Sequence, residues 1–398
     1  MKHFMMAAIA AAALLSACGG GGNSGETKAS ITSVKVIGAS LADSGTFGYK
    51  YTVQPAGSTT YQVYTERLAS TYGLPLCNAF SYASSTFSAN AGCTNYAVAG
   101  AKVNNTVSNY TTTSETSPLS GIYQLQTAGS VGFSSSDLVI VGELGANDAA
   151  DVATAYLTDL QSSGSTTYFS NLATTLLGST VVANYSTYLA SSTAAGTLGS
   201  LYMQALADKL FDAVVTNALN HGAQRIAVLN TLDITKTPKF QRTLTQLTQG
   251  YGATTANGIQ TLIQTWVQAY NTRLATRVAS YSGKVVVVDF YTGFNDEMAS
   301  PSQYGLSNTS MSVCDQTYGA ATAYTATAYT AGAQALSTSA VRTSCTDSYA
   351  SSITPTSGDG TSNWWKTYLF ADNFHPTPYG HQLLGQLVAK RLTEAGWL

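Results

Sequence analysis

The run Phe370-Ala371-Asp372-Asn373-Phe374-His375-Pro376 sets an acid three positions before a histidine near the end of the chain. A hydrolytic site needs a group that can take and return a proton near neutrality, and histidine is suited to that task. The chain has four histidines. His3 falls in an N-terminal leader. His221 precedes Gly222 at the end of an apolar-periodic stretch, where a histidine complements a helix C-terminus. Of His375 and His381, only His375 has a carboxylate at a spacing that puts both groups on one face of a turn. A helix-start ion pair also accounts for this spacing, because acids and proline gather at helix N-termini.

Other polar groups stand where apolar runs end. Ile31 to Ser40 reads as a buried strand entering a glycine turn, Gly38-Ala39-Ser40-Leu41-Ala42-Asp43-Ser44-Gly45. Asp137 to Gly142 is a second strand and leads to Gly145-Ala146-Asn147-Asp148. Arg225 to Asn230 and Lys284 to Asp289 are the third and fourth. Helical periodicity covers Tyr61 to Tyr72, Ser200 to Asn220, Ile259 to Tyr281 and Pro378 to Glu394. Continuous Val/Ile/Leu strands alternating with amphipathic helices imply an α/β fold whose parallel sheet is covered on both faces. Reactive groups in such a sheet belong at the C-terminal strand ends. Asn147 at one of these ends also fits a helix cap.

A single domain from about residue 31 to 398 is expected, with stretches inserted at about 52–95 and 305–366. The second contains the near-repeat Ala323-Tyr-Thr-Ala and Ala328-Tyr-Thr-Ala, together with Trp364 and Trp365. Loops beside strand ends commonly shape a substrate cleft. Charged residues make up only 10% of the chain and the net charge is −2, with no basic stripe. Nucleic-acid binding therefore lacks its electrostatic footprint.

The N-terminus speaks for export. A lysine and a twelve-residue apolar run, Phe4 to Leu15, have signal-peptide length and are too short to span a bilayer. Leu15-Ser16-Ala17-Cys18 resembles a bacterial lipobox, which implies a signal peptide at 1–17 and acylation of Cys18. An ordinary small-residue cleavage site is the alternative. Acyl chains would hold the protein on a membrane. Gly19 after the cysteine resembles lipoproteins sorted to the outer membrane, on its periplasmic or cell-surface face. Residues 18–30 then form a glycine-rich tether. Beyond Cys18, an even set remains: Cys77, Cys93, Cys314 and Cys345. Two disulfides are expected in an oxidising compartment, with three connectivities open. The local pairs Cys77–Cys93 and Cys314–Cys345 are favoured because each would staple an inserted stretch. No cysteine/histidine cluster suggests a metal site.

Taken together over residues 36 to 381, the polar segments resemble the ordered blocks of the SGNH, or GDSL-type, hydrolase family. The Ser40 turn resembles Gly-Asp-Ser-Leu with its following Asp-x-Gly, and Asn95-Tyr-Ala-Val-Ala-Gly100-Ala101 resembles Asn-x-Ala-x-x-Gly-Ala. Gly145-Ala146-Asn147-Asp148 resembles Gly-x-Asn-Asp, and Asp372-Asn-Phe-His375-Pro376 resembles Asp-x-x-His-Pro. Tyr270-Asn271-x-x-Leu274 and Tyr304-Gly305-Leu306-x-Asn308 resemble the branch with bacterial esterases, phospholipases and acyltransferases. The resemblance implies a three-layer α/β/α, flavodoxin-like fold and an exported carboxylic-ester hydrolase that needs no metal or other cofactor. It implies Ser40 as nucleophile, His375 as base and Asp372 as its orienter. The backbone N–H groups of Ser40 and Gly100 and the Asn147 amide would form the oxyanion hole. The serine does not lie in the Gly-x-Ser-x-Gly elbow of the α/β-hydrolases.

One position departs from the pattern, because Ala39 stands where the family usually has Asp. Weaker support for the nucleophile turn is expected from that change. Other readings stay open: a phospholipase or lipid acyltransferase, a polysaccharide acetylesterase with stacking Tyr/Trp loops, or a non-catalytic surface binding lipoprotein.

Overall fold

A computed structural model of the protein describes residues 30–57, 60–162, 166–318 and 345–398. Cys18, the leader and the Ala/Tyr/Thr near-repeat lie outside them. In chain order, β1 (Ser33–Ile37) and α1 (Tyr64–Thr71) come first. Two small hairpins follow, β2 (Phe80–Ala83) with β3 (Thr86–Ala89) and β4 (Thr106–Val107) with β5 (Thr112–Thr113). After α2 (Gly121–Val131) come β6 (Asp137–Val141) and α3 (Ala146–Gln161). The later strands are β7 (Ile226–Leu229), β8 (Val285–Val288), β9 (Asn308–Ser312) and β10 (Tyr368–Phe370).

The central sheet is parallel throughout, in the order β1-β6-β7-β8. Its strands are apolar runs because helices flank the sheet and leave no wet side. Every residue of β6 and of β7 is buried. Helix Ser192–Asn217 packs against both α2 and the helix Ala253–Ala279, while α1 packs against the C-terminal helix Pro378–Glu394. The result is the three-layer α/β/α arrangement expected from the sequence. Among the described residues, no helix is long and apolar enough to cross a membrane.

All four sheet strands lie close to their sequence-read bounds, but two long helices begin earlier than their periodicity suggests. The helix expected from Ser200 starts at Ser192, with Ser191 accepting from the Ala194 N–H as its cap. Its first turns are poor in large apolar residues because Gly199 lies against Trp266, where a Cβ would overlap the indole ring. The helix expected from Ile259 starts at Ala253. A capped or glycine-led first turn carries little periodic signal.

Register decides where chemistry can gather. Ile37 pairs with Val141, Val141 with Val228, and Leu229 with Val288, so four strand ends reach one edge of the sheet. The segment around Asn95 runs beside β1, with Val36 N–H donating to Thr94 O at 2.9 Å and Tyr96 N–H to Val36 O at 2.7 Å. On another flank, β9 and β10 pair in parallel beside a small second core that contains Val53, Val313, Trp364, Trp365 and Tyr368. Trp364 is fully buried, and its indole N–H donates to Ala350 O at 2.8 Å.

The two disulfides are the local ones. Cys314–Cys345 joins this second core, with Cα atoms 5.5 Å apart. Cys77–Cys93 closes the base of the β2–β3 hairpin, with Cα atoms 5.0 Å apart. Both separations suit unstrained bridging.

Candidate active site

The turn after β1 is held from several sides. Gly38 N–H donates to the side-chain oxygen of Gln124 at 2.9 Å, and the Gln124 amide donates back to Gly38 O at 3.1 Å. A Cβ on Gly38 would come within 2.9 Å of the Ala42 methyl, so the turn requires glycine there. The N–H groups of Ala42 and Asp43 fold back onto Ala39 O at 3.2 and 3.0 Å. Asp43 is buried and accepts from the N–H groups of Gly45, Thr46 and Ala99 at 2.8–2.9 Å. Burial raises its pKa, and those N–H bonds pull it back. Asn95, also buried, donates to Ala42 O at 2.9 Å and Ser44 Oγ at 2.8 Å.

Ala39 brings no carboxylate to the turn, but another acid stands beside it. Glu143, two residues beyond the end of β6, reaches across to accept from the Leu41 N–H at 2.7 Å. A carboxylate from the neighbouring strand end thus holds the turn at the residue after Ser40, while Asp43 holds it further on. Burial pushes the Glu143 carboxyl up to about 7, while nearby N–H groups, including those of Leu41, Ala42 and Ala39, draw it down.

The loop after β10 is held differently. Asp372 Oδ1 accepts from the N–H groups of Phe374 at 2.9 Å and His375 at 2.7 Å, a local turn that pre-sets the histidine. Ala371 N–H donates to His375 O at 2.8 Å, and Thr377 N–H to Leu369 O at 2.9 Å. Thr377 then caps the C-terminal helix, accepting from Gly380 N–H at 3.1 Å, with Pro378 in the first turn. Asp372 and His375 therefore lie just before a helix start. A helix-start ion pair accounts for their place but not for the contact of His375 with Ser40.

The two halves meet. His375 Nε2 is 2.9 Å from Ser40 Oγ, and Nδ1 is 2.8 Å from Asp372 Oδ2. Ser40 and His375 are each only 5% exposed, so little water competes for these bonds. The Tyr51 ring packs on the imidazole with centroids 4.8 Å apart, and Phe374 meets it edge-on at 5.7 Å. His381 is buried beneath Tyr51, with its Nε2 3.4 Å from Tyr51 O; burial holds its pKa down at about 3. It stays neutral and supports the wall.

Gly100 and Asn147 line the same cavity as Ser40 and His375. Gly100 has φ +83°, a conformation that favours glycine. Asn147 does not cap a helix: Gly145 occupies the N-cap of α3, and the Asn147 amide donates to Ala101 O at 3.0 Å. That bond uses one amide hydrogen and leaves the other for the cavity. Asp148 beside it is buried and accepts from Val103 and Asn104 N–H at 2.9 and 2.8 Å, which fixes the Gly100 segment against α3. Burial pushes Asp148 to about 6. Tyr270 donates to Leu144 O at 2.8 Å, and Asn271 exchanges two 2.8 Å bonds with the Thr231 backbone. These residues brace the strand-end loops from behind.

A cleft of about 1030 Å³ opens over Ser40 and His375. One wall is aromatic: Phe47, Tyr82 and Phe87 form a cluster with centroids 4.7–6.1 Å apart. Tyr82 and Phe87 ride on the hairpin stapled by Cys77–Cys93. Another part is polar, with Thr154, Thr158, Lys239, and Lys102 paired to Asp151 at 2.6 Å. Burial lowers the Lys239 pKa, and Asp151 and Asp372 pull it back up. Glu143, Lys239 and the aromatic wall were not singled out from sequence. Only the wall had a signal, three aromatics (Phe80, Tyr82 and Phe87) between Cys77 and Cys93.

Comparison with curated proteins finds no match to this chain. Comparison with family models matches residues 34–388 to the GDSL-like lipase/acylhydrolase model, a span that includes every residue of the cluster described above. With that match covering most of its length, the chain belongs to the GDSL-like lipase/acylhydrolase family.

Proposed function

We propose that the protein is an exported serine hydrolase that cleaves carboxylic esters with Ser40, His375 and Asp372. The observation that carries this reading is the imidazole held between Ser40 Oγ at 2.9 Å and Asp372 Oδ2 at 2.8 Å. In this reading, Ser40 Oγ attacks the ester carbonyl as His375 Nε2 takes its proton. Asp372 keeps the Nδ1 proton in place and stabilises the imidazolium. The carbonyl oxygen becomes negative and is met by Ser40 N–H, Gly100 N–H and the free Asn147 amide hydrogen. His375 returns the proton to the departing alcohol, leaving an acyl-serine. Water, deprotonated by the same imidazole, then releases the acid.

The cleft suits an amphipathic ester, with its apolar part along Phe47, Tyr82 and Phe87 and its polar part toward Thr154, Thr158 and Lys239. Acylation of Cys18 would tether this cleft to a membrane, near lipid esters. The reading is tested with a panel of acyl esters and a serine-directed phosphonate, using wild type and Ser40→Ala. Turnover and labelling in wild type, both lost in the variant, are expected. A wild type inert to both would overturn it. Product analysis with phospholipid and an acceptor alcohol separates hydrolysis from acyl transfer. Radiolabelled fatty acid retained by wild type and lost in Cys18→Ser would support the anchor.

A further inference from the structure

We infer that Glu143 is a positioning residue for the nucleophile, holding the Ser40 turn so that its hydroxyl meets His375 and its N–H faces the substrate oxygen. The inference rests on the esterase reading and names a part of that site which no spacing in the sequence marks.

The N–H groups around Ser40 are almost all committed. Gly38 N–H goes to Gln124, Leu41 N–H to Glu143, and those of Ala42 and Asp43 to Ala39 O. The Ser40 N–H takes no such partner among the described residues. A turn with its neighbours bound and one donor left toward a cavity is what an oxyanion hole requires, because donors must be aimed before charge develops. Glu143 fixes the neighbour immediately after Ser40. It is itself well braced: Gly142 N–H donates to Ile37 O at 2.7 Å, and Tyr270 fixes Leu144 O at 2.8 Å. The carboxyl is therefore delivered by adjacent strand ends whose register is set by Ile37 and Val141.

Stability alone does not explain an acid at this place. Glu143 is only 2% exposed and no cation pairs with it among the described residues. Its Oε2 and the nearby Tyr64 hydroxyl are both buried without hydrogen-bond partners. Burying unsatisfied polar atoms is costly, and a well-packed apolar side chain would be cheaper. An acceptor for the Leu41 N–H is what the acid adds. The Ala39 methyl cannot supply one, and the Asp43 carboxylate is taken by Gly45, Thr46 and Ala99 N–H.

The test compares Glu143→Gln, which keeps an acceptor oxygen, with Glu143→Ala and Glu143→Met, which remove it. Met fills the volume if the alanine variant does not fold. Ester kcat and KM are measured beside hydrogen exchange of the Gly38–Ser44 backbone. Loss of the acceptor is expected to lower kcat by up to about 100-fold, the effect of a displacement near 1 Å, with KM little changed. Exchange of the segment should rise in the same variants, and Gln should restore both. A folded Ala or Met variant with wild-type kcat and exchange would overturn the inference, as would equal losses in Gln and Met. Exchange needs no turnover. An inert wild type would count against the esterase reading, while the exchange pattern would still decide what Glu143 holds.

Discussion

The two halves of the candidate site are built in opposite ways. The Asp372–His375 half is local: one carboxylate accepts two N–H groups within three residues and also the ring nitrogen, so a short peptide sets its own geometry. The Ser40 half is assembled from afar. Gln124 on α2, Glu143 after β6 and Asn95 beside β1 all converge on one turn. A local half can be read as a spacing, while a converging half shows in sequence only as separate polar residues. The difference also implies different sensitivities. Changes remote in sequence should disturb the nucleophile, whereas the base should answer mainly to changes within its own loop.

The largest effect expected is at the junction of the halves. Ser40→Ala should lower kcat by roughly 10⁶-fold, as in other triads, with a melting temperature close to wild type. Substantial residual turnover in that variant would separate Ser40 from the chemistry and dissolve the comparison. Next comes a change inside the local half. Asp372→Asn keeps an acceptor for Phe374 and His375 N–H, so the loop should hold. The amide presents the wrong partner to Nδ1, however, and kcat should fall about 10⁴-fold. Similar losses of stability and activity would show that the local half is less self-contained than its bonds suggest.

Asn147→Ala tests the donor that neither half owns. Losing one oxyanion donor typically costs about 2.7–4 kcal/mol in transition-state stabilisation, a kcat loss of about 10²–10³-fold. A change confined to KM would instead make Asn147 a substrate-binding group. Gln124→Leu acts only through the remote half. It leaves Gly38 N–H without its partner, while Gly38 O keeps the Val98 N–H at 3.2 Å, so denaturant unfolding should show a loss of about 1–3 kcal/mol. Activity should fall with it, while phosphonate labelling of the remaining folded protein becomes slower. An unchanged labelling rate would refute the idea that convergence aims the serine.

Two buried groups also tie stability to pH. His381 has a folded pKa near 3, below its ordinary 6.5, so the unfolded chain binds a proton that the folded chain refuses. Its contribution is full above about pH 6.5 and is lost as pH falls toward 3, by up to about 1.4 kcal/mol per unit. His381→Gln should flatten acid unfolding in that window. Glu143 works in the opposite sense. Its folded pKa near 7 lies above the ordinary 4.5, so stability from it is present below about 4.5 and lost as pH rises toward 7. Urea midpoints of Glu143→Gln across that range should lack this decline.

Much of the fold was legible because a covered parallel sheet writes its strands as unbroken apolar runs, as in Val285-Val286-Val287-Val288. The early start of helix Ser192–Asn217 was not legible, since Gly196 and Gly199 depress the periodic signal while Trp266 supplies the packing. The site divides in the same manner. The polar blocks at strand ends were visible, and so was the local disulfide preference. The aromatic wall was visible only in outline. Glu143 was not, because its partner lies on another strand.

By itself, the sequence determined the types of chemistry-bearing groups, the parallel α/β architecture and the self-set Asp372–His375 turn. Those depend on neighbours within a few residues or on periodic burial. Only the tertiary structure decided that 335 positions of sequence separation close to 2.9 Å between Ser40 and His375. It also decided that Glu143 supports the serine and that Asn147 reaches Ala101 instead of capping its helix. Strand register and buried hydrogen bonds made those choices, because a polar group removed from water must find whichever partner the packing brings to it.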